Sequence, residues 1–181
     1  MSVKEVGRFV GRGVHALIGG CLGTDDPKVI EKGIKIYRDY YGKHMLDSSC
    51  LYPGALEILE YFKDRKQAVI TNKPNPFSAE LLAALGTAEY FFEIIPGNSE
   101  HPKKPDPGAI FHLMKRQNAG PAETLFIGDS LVDMETGRNA GVETVVLTHG
   151  FGTPAELQSL PTAGVFHDFH ELLQEAKKRK W

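Results

Sequence analysis

From Ala55 to the carboxyl terminus, short apolar runs alternate with stretches whose apolar residues recur at helical spacing, and few folds accommodate that rhythm. Gln67 to Thr71, Phe92 to Ile95, Thr124 to Ile127, Glu143 to Leu147 and Val165-Phe166 read as strands. The helices between them carry Leu56, Leu59 and Phe62, then Leu81, Leu82 and Leu85 ending at Gly86, then Ile110, Phe111 and Met114 ending near Gly120. Another runs through Asn139, and the last carries Leu172 and Leu173. Short apolar strands are buried on both faces, and parallel neighbours need helical crossovers. The pattern therefore predicts an α/β fold in three layers, a parallel sheet covered on either side.

Residues up to about Ser49 differ: they read as helical throughout. Ser2 and Glu5 form a capping box, Gly11 and Gly13 interrupt the first helical pattern, and Val14, Leu17 and Ile18 resume it. Asp26-Pro27 is a cap followed by proline at the first helical position, and Ile30, Ile34, Tyr37 and Tyr41 mark one face of a longer helix. Leu46 to Gly54 reads as a linker. The expected division is a helical region over 1–49 and an α/β region over 50–181.

In a parallel sheet, ligands bind at the carboxyl ends of the strands, and three such ends carry chemistry. Thr71-Asn72 closes one strand, Lys103-Lys104-Pro105-Asp106-Pro107 follows the next, and Gly128-Asp129-Ser130-Leu131-Val132-Asp133 leads from a strand into a helix. Asp133 lies about one helical turn beyond Asp129, so both carboxylates can face one point, an arrangement suited to Mg²⁺. Thr71 would donate to a phosphate oxygen, Asn72 could add an amide donor, and Lys104 would offset developing negative charge. Each piece has an ordinary alternative. Thr71 to Pro76 is turn chemistry, a loop lysine is commonly a solvated charge, and Asp129 to Asp133 could simply start a helix capped by Ser130. Their joint occurrence at successive strand ends is the specific signal.

Val69 to Lys73, Lys104 to Pro107 and Gly128 to Asp133 resemble the second, third and fourth motifs of the haloacid dehalogenase superfamily, with the nearest likeness to its phosphoglycolate phosphatase branch. Val10 to His15 resembles that branch's helical cap, and Leu51-Tyr52-Pro53-Gly54 its return to the core. The resemblance implies a Rossmann-like core beneath an N-terminal helical cap, and Mg²⁺-dependent hydrolysis of a small phosphomonoester. Thr71, Asn72 and Lys104 would be catalytic, and Asp129 and Asp133 metal ligands. Arg12 and Gly13 would receive a carboxylate of the substrate.

The family's attacking aspartate belongs to an Asp-x-Asp-Gly-Thr segment on a first strand that precedes the cap and lies at the centre of the sheet. No Asp-x-Asp occurs in these 181 residues. The sequence is accordingly read as descended from a complete phosphatase, with that strand absent and turnover very low. Three outcomes are open for the sheet: the flanking strands close up and pair, another segment or chain lies between them, or the domain is destabilised. A homo-oligomer through this position is one form of the second. A different functional class, a catalytically dead binding or interaction module, fits the same gap. A phospho-accepting receiver domain is disfavoured by the preceding helices and by the order Thr, Lys, paired Asp.

The formal net charge of −2 gives no electrostatic footprint for nucleic acid. No run approaches membrane-spanning length, and the N-terminal imitation of a signal peptide is broken by Glu5, Arg12 and His15. Cys21 and Cys50 form no metal or disulfide framework, so reduced thiols in a cytoplasmic protein are expected. His167 and His170 form no metal-binding set of known type, and Lys177 to Lys180 suit the negative end of a final helix.

Overall fold

The computed structural model describes residues 1–181 apart from Phe151, Gln158 and Leu160. The chain begins with three helices: α1 (Val3–Gly7), α2 (Val14–Leu22) and α3 (Pro27–His44). Ser2 and Glu5 make the expected capping box, with the Glu5 carboxylate 2.6 Å from the Ser2 N–H. Asp26 caps α3 by accepting from the Lys28 N–H at 2.9 Å, and Pro27 occupies the first turn. Helices α2 and α3 pack against each other, and Gly33 lets Ile18 and Leu22 approach the α3 backbone.

The alternating region follows: α4 (Ala55–Tyr61), β1 (Gln67–Ile70), α5 (Phe77–Ala84), β2 (Phe91–Ile95), α6 (Gly108–Gln117) and β3 (Leu125–Gly128). It ends with α7 (Leu131–Ala140), β4 (Glu143–Leu147), α8 (Pro154–Leu157), β5 (Gly164–Phe166) and α9 (Phe169–Arg179). Every strand pairing is parallel. One core cluster joins Ile58 of α4 and Leu172 of α9 to Val145 and Leu147, with Leu125 and Ile127 against it. A second joins Ile110 of α6 and Ala140 of α7 to Val142, with Ile70 and Phe126 against it. Successive side chains of β3 thus enter opposite layers, as a strand covered on both faces requires. No helix among the described residues is long and apolar enough to cross a membrane.

Two features depart from the simplest reading. Helix α6 stops at Gln117 rather than near Gly120, because Asn118 takes the left-handed conformation (φ 51°) and ends it. Asparagine tolerates that region better than most residues, so it can serve where glycine is the usual signal. More important, the strands form two sheets, β1-β2 and β3-β4-β5. The first of the three sheet outcomes is therefore not realised: β1 and β3 do not close up and pair.

Trp181 is tied down. Its N–H reaches the Ala176 carbonyl at 3.1 Å, its ring packs on the cluster around Leu172, and the Arg179 guanidinium lies 5.0 Å from the ring centre. Leu172, fully buried between α4 and β4, is the pivot of that layer. Leu172→Ala should lower unfolding free energy by about 2–5 kcal/mol in urea titrations, and a loss under about 1 kcal/mol would show that the layer repacks freely.

Candidate functional site

The carboxyl ends of β1 and β3 meet at one rim, although the strands themselves are unpaired. Asn72, just beyond β1, binds both backbone groups of Lys104: its Oδ1 accepts from the Lys104 N–H at 2.9 Å, and its Nδ2 donates to the Lys104 carbonyl at 3.0 Å. Lys104 in turn extends its ammonium to Asp133 Oδ1 at 2.7 Å. The other oxygen of Asp133 accepts from Ser130 Oγ at 2.6 Å and from the Asp129 N–H at 3.1 Å. Asp129 directly follows β3 and Asp133 lies in the first turn of α7, so this chain of contacts spans both sheets.

The two acids have opposite electrostatics. Asp133 is only 4% exposed. Burial disfavours its charge, but the Lys104 ammonium and the donors from Ser130 and Asp129 outweigh that and hold its pKa below the usual range. Asp129 is pushed up to about 6, first by burial and then by repulsion from Asp133, with Lys104 offsetting part of the rise. Among the described residues no side chain donates a hydrogen bond to the Asp129 carboxylate. A charge-poor, donor-free acid beside a fixed carboxylate is a fitting ligand for a hard divalent cation. Mg²⁺ commonly binds through one or two carboxylates and fills its remaining positions with water and phosphate oxygens. The described residues offer no cluster of three or more His, Cys, Asp or Glu, so the protein's share of such a site would be this pair.

Thr71 Oγ1 accepts from the Lys73 N–H at 3.1 Å, which leaves its own proton free to donate. Asn72 is different from the expectation of a free amide donor. Both protons of its amide are engaged, one with Lys104 and one with the Gly11 carbonyl at 2.8 Å, so it holds Lys104 and the N-terminal helices in place. Gly13 sits over the rim with φ 90°; a methyl there would lie 3.3 Å from Lys103 Nζ and 3.6 Å from the Asn72 carbonyl. Arg12 is exposed, and the group that feels its charge is Glu156, whose pKa is lowered mainly by hydrogen bonds from Thr153. The structure thus brings together Thr71, Asn72, Lys104, Asp129, Asp133 and Gly13, while Arg12 is exposed and acts electrostatically on Glu156, beyond the loop that packs against Asp129.

Sequence reasoning set Lys103 aside in favour of Lys104 and missed Gly150. Lys103 was indistinguishable from its neighbour by type, and only the position of Gly13 reveals that it lines the rim. A Cβ on Gly150 would fall 2.1 Å from Asp129 Oδ2, so the loop after β4 can close over that acid only without a side chain. The signal was available: His149-Gly150 follows a strand end, as the other site segments do. Lys73 points elsewhere, bonded to the Tyr41 hydroxyl of α3 and 4.4 Å from its ring centre.

Opposite shifts predict opposite pH dependences. Between the ordinary carboxyl value of 3.8 and about 6, folded Asp129 keeps a proton that the unfolded chain has lost, so its contribution lowers stability as pH rises through that window. Asp133 contributes stability above 3.8 that is lost on further acidification. Without divalent ions, Asp129→Asn should raise stability at pH 8 by on the order of 1–3 kcal/mol and remove the decline between about pH 4 and pH 6. Urea titrations across that range check this; an unchanged profile in the variant would contradict it.

A family model described as haloacid dehalogenase-like hydrolase matches residues 1–147. A phosphoglycolate phosphatase of Pseudomonas syringae pv. syringae is 32% identical over 181 aligned residues, covering 95% of this chain and 66% of the relative. One of Vibrio parahaemolyticus is 31% identical, covering 96% and 80% respectively. The solved structure of a predicted phosphoglycolate phosphatase from Haemophilus somnus superposes with a TM-score of 0.90 at 27% identity, covering 97% of this chain and 83% of that one. The chain therefore spans about two-thirds of the Pseudomonas relative it matches.

Proposed function

The chain belongs to the haloacid dehalogenase-like hydrolase family, and we propose that its rim binds the phosphoryl group of a small phosphomonoester together with Mg²⁺, as a phosphoglycolate phosphatase-type site. The observation that carries this reading is the Lys104–Asp133 ion pair set beside the unpaired acid Asp129 at the shared ends of β1 and β3. Thr71 donates to one phosphate oxygen. Lys104, anchored by Asn72, faces the phosphoryl charge as a fixed cation. Asp129 and Asp133 would hold Mg²⁺, Asp129 through oxygens that no side chain donates to and Asp133 through oxygens shared with Lys104 and Ser130, and the ion would neutralise charge on a phosphate oxygen.

Residues 1–49 act as a cap and 50–181 as the core. Support comes from two contacts of the helical region at the rim, Gly11 with Asn72 and Gly13 over Lys103, and from a third away from it, Tyr41 with Lys73. Closure of such a cap excludes water from the phosphoryl group. Arg12, Lys103 and the glycine backbone at the start of α2 are then the groups available to a substrate carboxylate. The setting is cytoplasmic, consistent with the free thiols of Cys21 and Cys50.

Binding and turnover separate here. The 181 residues include no Asp-x-Asp, and among the described residues the acids gathered at the rim are Asp129 and Asp133, both assigned to the metal. The chain by itself binds phosphate and cleaves slowly, which is also what a family member serving as a binding module would do. Calorimetric titration with orthophosphate should show binding that requires Mg²⁺. Thr71→Val should weaken it about tenfold, in line with one charge-assisted hydrogen bond, and Asp129→Asn should remove the metal requirement. Phosphate binding indifferent to Mg²⁺ and to both substitutions would refute the site; hydrolysis of phosphoglycolate at an ordinary enzymatic rate would refute the slow turnover.

A further inference from the structure

The loop that follows β4 is held from two sides. On one side it lies against an acid of the rim: a Cβ on Gly150 would fall 2.1 Å from Asp129 Oδ2, and the Gly152 N–H donates to the Asp129 carbonyl at 2.9 Å. On the other side the His149 ring stacks on Tyr52, with ring centres 3.9 Å apart and planes 30° from parallel. The same imidazole meets the Phe169 ring at 5.4 Å, and its Nδ1 lies 3.3 Å from the His167 carbonyl just ahead of α9. Tyr52 belongs to the segment that joins the N-terminal helices to α4, and that segment packs onto the same place. A Cβ on Gly54 would lie 3.0 Å from Phe169 Cβ and 3.1 Å from the His170 backbone nitrogen. Tyr52 is 48% exposed, so burial gives it little reason to be aromatic, and stacking on His149 does.

We propose that His149 is a positioning residue: its stack on Tyr52 holds the loop after β4 against Asp129, and so ties the seating of that acid to the segment leading out of the N-terminal helices. His149 and Gly150 are adjacent in the chain, so the ring that meets Tyr52 and the backbone that meets the acid move together. A movement of the N-terminal helices relative to the strands passes through Tyr52 and reaches Asp129 by this route. Groups that orient a metal ligand without touching the ion influence affinity strongly. The consequence for metal rests on the reading of Asp129 as a ligand; the holding of the loop does not.

The test compares the full chain with Tyr52→Ala, Tyr52→Phe, His149→Ala and His149→Phe. Amide hydrogen exchange followed by NMR reads the loop directly. Both alanine variants should speed exchange at Gly152 by about fivefold, the scale of one aromatic pair. Thr148, whose N–H is bonded to the Phe166 carbonyl at 3.0 Å, should keep its rate. Both phenylalanine variants retain a ring and should stay within about twofold of the unsubstituted chain. Mn²⁺ affinity should fall about fivefold in the alanine variants and return in the phenylalanine ones. Unchanged exchange at Gly152, equal acceleration at Thr148, or failure of phenylalanine to restore the rate would overturn the proposal. So would faster exchange at Gly152 with full Mn²⁺ affinity, because Asp129 would then be seated without the loop. An unsubstituted chain that binds no Mn²⁺ refutes the metal site of the previous section, and exchange at Gly152 still decides the role of His149.

Discussion

The Lys104–Asp133 ion pair is the contact on which the arrangement of the rim depends. Lys104 stands in the segment after β2, Asp133 at the start of α7, and Asn72 fastens the lysine backbone to the end of β1. Among the described residues the two sheets share no ladder, so this polar chain and the helix layers fix the position of one strand end relative to the other. A buried ion pair is weak evidence for stability, since desolvation costs about as much as attraction returns. Its worth here is geometric. Asp133 accepts from Lys104, Ser130 and the Asp129 backbone, so the acid is held ionised in one orientation.

That fixed charge determines what its neighbour can do. Asp129, buried beside Asp133 and without a side-chain donor, ionises less readily than an ordinary carboxyl, with Lys104 offsetting only part of that. A cation binding there would relieve both the burial and the repulsion, so ligand binding and local stability are linked through one residue. Gly150 contributes by having no side chain, which lets the loop after β4 lie against Asp129. Gly13 is constrained differently: its φ of 90° is a conformation that side chains rarely adopt, where the helical region meets Lys103.

Much of this was legible in the sequence because the signals were local. The strands around Val69, Ile127 and Val145 were short apolar runs, and the caps at Ser2, Asp26 and Ser130 carried the side chains that caps need. The site residues at strand ends followed from the rule for parallel sheets. What was not legible was relational. Nothing local distinguishes Lys104, which reaches Asp133, from Lys103, which lies under Gly13, or from Lys73, which turns to Tyr41. Asn72 could be placed at the rim by its position, but its use as a clamp on Lys104 and Gly11 depends on two distant segments arriving together. The motifs left three outcomes open for β1 and β3, and the choice against direct pairing is a property of the assembled strands.

The most direct measurement is crystallographic: crystals of this chain soaked with orthophosphate and Mn²⁺, a Mg²⁺ substitute with an anomalous signal. The account predicts an anomalous peak within bonding distance of Asp129, with a phosphate bridging that ion, Lys104 and Thr71. A metal found elsewhere, or a phosphate seated away from Lys104 with Asp129 unligated, would contradict it.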